Sequence, residues 1–238
     1  MINFFKGMNY FFQGLKKLST PGLKRFIIIP IVFNFLLFTS LFYLSYHYLL
    51  PYAHYYIDKL PSWLSFLSSL IIVFLVITFL LLFLAMFTVM FNIIAAPFNG
   101  LLAEKVQKII YGRAVPSVAF STMAVRSLKR QGKFLRYFIP RFLGMGVLFF
   151  VPFIQPIFPV IWFIFTAWML SMQFQDVPMD NNLVGFEQMK QEIKINTMRS
   201  LGFGASINLA SFIPFFNVLT LPAAVIGSTM LYCDTHQE

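Results

Sequence analysis

Charged side chains make up only 11% of this 238-residue chain, whereas a soluble domain usually carries about a quarter. So few charges cannot cover the surface of a soluble fold of this size, which excludes an ordinary cytosolic globule. Acid is scarcer still: 8 Asp plus Glu stand against 18 Lys plus Arg, a formal net charge of +10. There is one cysteine, Cys233, so no intramolecular disulfide forms and nothing reports an oxidising compartment. A GxxxxGK[ST] loop is missing, so no built-in nucleotide motor is indicated. The three histidines, His47, His54 and His236, lack companion ligands at metal spacing, and Cys233 has no neighbouring base. No catalytic residue, metal or cofactor is predicted, and the chain does not read as an enzyme.

What is present is apolar mass: 59% of residues are hydrophobic and Phe alone occurs 32 times. That excludes a disordered chain and leaves an integral membrane protein. The positive balance points first to membrane topology and then to an anionic solute; nucleic acid is not expected as a partner. Lys6, Lys16 and Lys17 precede any long apolar run and no small-residue cleavage site follows, so the N-terminus is expected to be retained.

Four long stretches lack charge: 26–57, 60–103, 142–175 and 200–233. A bilayer core of roughly 30 Å needs about 20 apolar residues in a helix. The first stretch supplies Phe26 to Leu50, with Pro30 near its start, where a helix tolerates proline best. The second runs from Trp63 to Ala96, on the order of 50 Å of helix, and Pro97, Asn99 and Gly100 are expected to break or kink it. The third is divided by Pro152, Pro156 and Pro159 into Phe142–Val151 and Val160–Gln173. The fourth is divided by Pro214, Asn217 and Pro222 into Leu201–Ile213 and Ala223–Cys233. These halves read as too short to span and fit re-entrant hairpins, a single kinked span being the alternative for each stretch.

The fold class expected is therefore an all-α integral membrane protein. It has two long transmembrane helices (21–57 and 60–103), two half-inserted helical hairpins (142–175 and 200–233) and an N-terminal amphipathic helix at the membrane interface (1–20). Segments 104–141 and 176–199 are expected in the cytoplasm. Residues 1–25 hold five basic residues and no acid, and 105–141 hold nine and no acid, while Leu50–Leu60 is neutral. The positive-inside rule then places the N-terminus in the cytoplasm.

Five local patterns stand out. In Ser19-Thr20-Pro21-Gly22-Leu23-Lys24-Arg25, Ser19 or Thr20 can cap a helix and Pro21 suits its first position. Free N–H groups there suit an oxyanion, and Lys24 and Arg25 add charge; a plain cap followed by snorkelling basic residues is the other reading. Asn92 to Glu104 places small residues, Pro97, Asn99 and Glu104 at a membrane boundary, as in a broken helix lining a pathway; Glu104 pairs on this reading with Lys108 or another basic neighbour. Gly202, Gly204, Ala205 and Ser206 permit close helix packing. Arg126, Lys129, Arg130, Lys133 and Arg136 share one helical face and read as resting on acidic lipid headgroups. Asp176 and Asp180, flanking Pro178, read as turn residues.

The sequence resembles the CysZ-type sulfate permeases of bacteria. The matching blocks are FFQGLKKLSTPGLKRFIIIPIVFN at 11–34, NIIAAPFNGLLAEKV at 92–106, YFIPRFLGMGVLFFVPFIQPIFPVIWFIFTAWML at 137–170, DVPMDNN at 176–182 and GASINLASFIPFFNVLTLPAAVIGSTM at 204–230. The resemblance implies a protein of the bacterial inner membrane that admits sulfate for cysteine biosynthesis, with two transmembrane helices, two half-inserted hairpins and assembly as a homodimer or higher homo-oligomer. It also implies sulfate binding at a Gly-Leu-Arg-type motif, which reads Gly22-Leu23-Lys24-Arg25 here, with Lys24 standing where the family has Arg. The expected function is sulfate uptake by a channel-like or ion-coupled route without an ATPase. Sulfate and the lipid bilayer are the expected partners, with Asn92, Asn99 and Glu104 along the pathway or its gate. The rival readings are a non-transporting membrane scaffold or regulator that binds acidic lipid or a partner protein, and a membrane-embedded enzyme acting on lipid.

Overall fold

A computed structural model describes residues 2–49, 51, 55, 68–116, 118–213 and 216–236. The described chain is all-helical: α1 (Ile2–Lys17), α2 (Lys24–Leu44) running into a π-turn at Ser45–Leu49, α3 (Ser68–Tyr111), α4 (Phe120–Phe149), α5 (Phe158–Asn181), α6 (Phe186–Ile195), α7 (Thr197–Ser211) and α8 (Asn217–Thr235). It divides into two compact units, one of residues 1–27 with 96–238 and the other of residues 28–95. Most of the Leu50–Leu60 connection, His54 included, and the start of the second predicted span lie outside the described residues.

The smaller unit holds most of α2 and the first part of α3. Phe38 packs edge-on to Phe83 with ring centroids 5.6 Å apart. Around that contact large apolar side chains such as Phe35, Leu36, Phe42, Phe74 and Leu81 are exposed.

The larger unit is built on backbone-to-backbone helix contacts. α1 packs on α7 and α8, and α5 packs on the same two helices. Small residues make this possible. A Cβ on Gly7 would overlap the carbonyl of Arg199, and one on Gly202 would overlap the carbonyl of Phe4. Gly204 meets Ala167 of α5 in the same way, so the small-residue stripe docks one helix on others within the chain. α1 is amphipathic as expected, but its Gly7–Phe11–Gly14 face is buried against protein while Ile2, Phe5 and Phe12 point outward.

α4 and α5 form an antiparallel hairpin whose register is legible residue by residue. From the tip, Phe149 meets Phe158, Phe142 meets Trp162 and Phe138 meets Phe165. Further down, the Trp168 indole N–H donates to the Tyr137 hydroxyl, and Phe134 and Met172 share a core cluster. At the base, Arg130 meets Asp176 and Arg126 meets Asp180. The tip at 150–157 turns on successive i→i−3 bonds, such as Ile154 N–H to Val151 O and Ile157 N–H to Ile154 O, 3.0 Å each.

Several sequence boundaries move. The 141/142 and 175/176 divisions, drawn where the charge-free stretch begins and ends, fall inside α4 and α5, because helices continue through the charged Arg141 and Asp176 and through Pro140 and Pro178. The hairpin arms are thus 30 and 24 residues, not the short halves expected. Among the described residues α5 alone is long and apolar enough by length and hydropathy to cross a bilayer. Pro97 and Pro222 likewise lie inside α3 and α8. A proline deletes one N–H and crowds one carbonyl, and tertiary packing of the flanking turns outweighs that cost here.

Candidate anion-binding site

The Gly22–Arg25 motif sits where α1 hands over to α2. After Lys17 the chain makes tight turns, with Thr20 N–H donating to Lys17 O at 3.0 Å and Leu23 N–H to Thr20 O at 3.2 Å. Gly22 has φ +87°, a left-handed conformation in which a side chain is disfavoured. A Cβ there would also come within 3.1 Å of Ile109 Cδ1 on α3. Leu23 is fully buried and anchors the turn, while Gly22, Lys24 and Arg25 are exposed. Helix α2 begins at Lys24, so Pro21 lies in the turn before it and not at the first helical position, and neither Ser19 nor Thr20 caps it. Phe26 N–H donates to Leu23 O at 3.0 Å. The Lys24 and Arg25 amides have no backbone acceptor among the described residues, as expected of the first turn of a helix.

Those two amides, the positive pole of α2 and two cationic side chains converge on one exposed turn, an arrangement suited to an oxyanion. A third cation joins them. The Arg25 guanidinium lies 5.0 Å from the Phe26 ring centroid and the Lys105 ammonium 5.9 Å from the same ring. Lys105 was not singled out from sequence, because 80 residues of chain separate it from Arg25 and only the docking of α3 beside the turn unites them.

α3 is held there by the end of α5. Asn181 Nδ2 donates to the Gly100 carbonyl at 2.7 Å, in a buried bond. Asn182 and Gln107 exchange amide hydrogen bonds of 3.0 and 3.1 Å. Immediately before Asn181, Asp180 accepts from Arg126 Nε at 3.2 Å. Asp176 accepts from Arg130 Nε at 2.6 Å, and Arg130 Nη1 donates to Val184 O at 2.9 Å. Asp176 and Asp180 are therefore not turn residues: they occupy the last turns of α5 and are buried. Arg126 and Arg130 are likewise not on a lipid-facing stripe, since each is committed to one of these carboxylates, whereas Lys129, Lys133 and Arg136 are exposed. The signal was present in the sequence, because 126/130 and 176/180 repeat the same i,i+4 spacing with opposite charge.

Of the predicted pathway residues, Asn99 and Glu104 lie half-buried on α3 on either side of the Asn181 contact. Glu104 forms no ion pair with Lys108 or any other described residue. Asn92 is on the same helix, and its side chain lies outside the described residues. The chain brings Gly22, Leu23, Lys24 and Arg25 into one turn, and among the described residues no ion pair joins Glu104 to Lys24 or Arg25.

Comparison with known proteins gives a consistent picture. Residues 10–222 match the family described as Sulfate transporter CysZ/Etoposide-induced protein 2.4. The sulfate transporter CysZ of Pectobacterium atrosepticum is 38% identical over 236 residues, covering 98% of this chain and 86% of that protein. The sulfate transporter CysZ of Pseudomonas fluorescens is 36% identical over 230 residues, covering 95% and 92%. With both the family match and these relatives extending over nearly its whole length, the chain belongs to the Sulfate transporter CysZ/Etoposide-induced protein 2.4 family.

Proposed function

We propose that this protein takes up sulfate across the bacterial inner membrane to supply cysteine biosynthesis, as a transporter and not an enzyme, and without an ATPase of its own. The observation that carries the reading is the Gly22–Arg25 turn, where two amides without a backbone acceptor and the exposed Lys24 and Arg25 share one turn, with Lys105 near the same Phe26 ring as Arg25. Arg25 is the main side-chain donor because a guanidinium fork matches two sulfate oxygens. Lys24 and Lys105 act as point charges. From this turn sulfate follows a route lined in part by Asn92, Asn99 and Glu104 on α3, with Glu104 at its gate.

The membrane arrangement belongs to the same proposal. α2 and the first part of α3 cross the bilayer, and their exposed Phe and Leu side chains suit lipid. The α4–α5 and α7–α8 hairpins dip in and return, and the N-terminus is cytoplasmic. Although α5 is long enough to cross, its paired register with α4 favours a helix that comes back to the side where α4 started. The outward Ile2, Phe5 and Phe12 of α1 rest at the interface. The protein works as a homodimer or higher homo-oligomer.

Sulfate binding to purified protein and uptake into protein-only liposomes test the reading. Losing one charge-assisted donor is worth roughly 1.5–3 kcal/mol. Arg25→Ala should therefore weaken sulfate binding about ten- to a hundredfold while leaving the helical content intact. Unchanged affinity in the folded variant would remove Arg25 from the site, and absence of flux in wild-type liposomes would favour the scaffold reading.

A further inference from the structure

The C-terminal end of α8 carries titratable groups that the anion site does not use. His236 follows the last residue of α8, and both of its ring nitrogens face an acceptor. Nδ1 lies 3.0 Å from the Tyr232 carbonyl oxygen, and Nε2 lies 3.2 Å from Glu192 Oε2 on α6. A neutral imidazole carries one N–H and one lone pair. Whichever tautomer it adopts, one of these two oxygens meets a lone pair at hydrogen-bond distance. Only the imidazolium, a donor at both nitrogens, satisfies both oxygens at once. The contact is therefore built for the charged ring.

The surroundings agree. The ring stacks on Tyr232 with centroids 4.3 Å apart, at a helix C-terminus where the dipole favours a cation. On α6, Glu192 uses its other oxygen to accept from Gln188 Nε2 at 3.1 Å. Among the described residues His236 is its only ion-pair partner. On α8, Cys233 is buried and Asp234 is occupied: it accepts from the Tyr111 hydroxyl of α3 at 2.8 Å and is hydrogen-bonded to Tyr10 of α1. Arg199 of α7 lies within electrostatic reach of Tyr10. Arg113, just after α3, brings a cation close, and the main chain engages it: Nη1 donates to His236 O at 2.7 Å and reaches Cys233 O at 3.5 Å. Among these kinds of group, only an imidazole ordinarily changes charge between about pH 5 and 8. The His236 side chain is 36% exposed, so protons reach it from water.

We propose that His236 is a proton-operated latch between α6 and α8. Protonated, it ties Glu192 to the C-terminal turn of α8. Deprotonated, it gives up either Glu192 or the Tyr232 carbonyl. The closed contact holds a proton that the open one does not need, so closure is favoured on the acid side of the imidazole range and lost on the alkaline side. A carboxylate protonates only near about pH 4, which bounds the closed range from below. Arg113 carries the movement further, because its acceptor is the carbonyl of the residue that moves. Gly112 ends α3 with φ 66°, and the Arg113 N–H bonds back to Gln107 O at 3.3 Å. The segment following α3 is thus tied to the same latch. The latch is independent of where sulfate binds.

Amide hydrogen exchange on the full-length protein in nanodiscs, corrected for the pH dependence of the chemical exchange rate, tests the latch. Between about pH 6 and about pH 8, protection at 192–196 and 232–236 should fall about fivefold, the scale of one half-exposed ion pair at a helix end. His236→Gln keeps a polar side chain, and Glu192→Gln keeps the shape of the carboxylate. Each should remove this pH response while leaving protection in α7 as in the parent. No pH response in the parent would overturn the proposal. A response that survives His236→Gln would assign the proton to another group and overturn it as well. A response lost in His236→Gln but kept in Glu192→Gln would confine the effect to the α8 turn and overturn the tie to α6.

Discussion

Arg130 is the side chain whose loss should be felt most. It is 8% exposed, as is Asp176. Its Nε donates to Asp176 Oδ1 at 2.6 Å, and its Nη2 lies 2.6 Å from the same oxygen without hydrogen-bond alignment. Nη1 bonds Val184 O, and the guanidinium sits 5.3 Å from the Phe186 ring centroid. Arg130→Met keeps an unbranched apolar stem and removes every polar contact, leaving a buried carboxylate alone. Breaking a buried pair from one side costs about 3–5 kcal/mol, against about 0–1 kcal/mol for an exposed pair. Asp176→Leu should cost a similar amount by orphaning the guanidinium. The double variant should recover most of the loss, because an apolar pair of similar volume carries no desolvation penalty. Reversible unfolding in bicelles by SDS titration would give the three free energies and hence the coupling. The Arg126–Asp180 rung, longer at 3.2 Å and with Arg126 more exposed, should give a smaller coupling in the same cycle. If each single variant stays within about 0.5 kcal/mol of wild type, or the double variant is additive, the ion pairs do not clamp the hairpin base.

Three further outcomes follow from the backbone. Leu183 closes α5 with φ 62° while the Val184 N–H returns to Met179 O at 2.9 Å, a Schellman turn that glycine fits best; Leu183→Gly should stabilise the protein by about 1 kcal/mol in the same unfolding assay, and a loss of stability would contradict the strain. Gly202→Ala should destabilise by at least about 1–3 kcal/mol, since its Cβ would overlap the Phe4 carbonyl, and amide exchange in α1 should rise; unchanged exchange would mean that α1 is not docked on α7. Gly22→Ala should fold with about 1–2 kcal/mol of strain at the turn and bind sulfate more weakly by isothermal titration, whereas wild-type affinity would show that the turn conformation does not shape the site.

Much of this was legible from residue types alone. The prolines at 152, 156 and 159 located the hairpin tip, and the glycines and alanine at 202–205 located a close helix contact. Composition excluded everything but a membrane fold. What escaped is long-range pairing. Asp176 next to Pro178 carries the local signature of a turn, and only the approach of α4 makes it a buried acceptor. The basic face of α4 has the periodicity of a lipid-facing stripe, and two of its five members were committed instead to partners about 50 residues away in sequence. Prolines 97, 178 and 222 were over-weighted as breakers or turn signals for the same reason, since local propensity is a weak prior once a helix is packed on several sides.

The same long-range contacts join the hairpin to the candidate anion site. Asn181 and Asn182 follow directly on the ion-paired turns of α5, and they grip α3 at Gly100 and Gln107. Between those two points α3 carries Lys105, the cation that meets the Phe26 ring beside Arg25. A helix held by hydrogen bonds two turns apart has little freedom to rotate or slide, so Lys105 is placed by α5 and not by its own neighbours in sequence. The run from Asp176 to Asn182 therefore does two things with adjacent residues. Its aspartates close the hairpin onto α4, and its asparagines fix the third cation of the Gly22–Arg25 turn. Weakening the first should loosen the second, so on the proposed reading a variant that opens the hairpin base should also weaken sulfate binding at the Gly22–Arg25 turn.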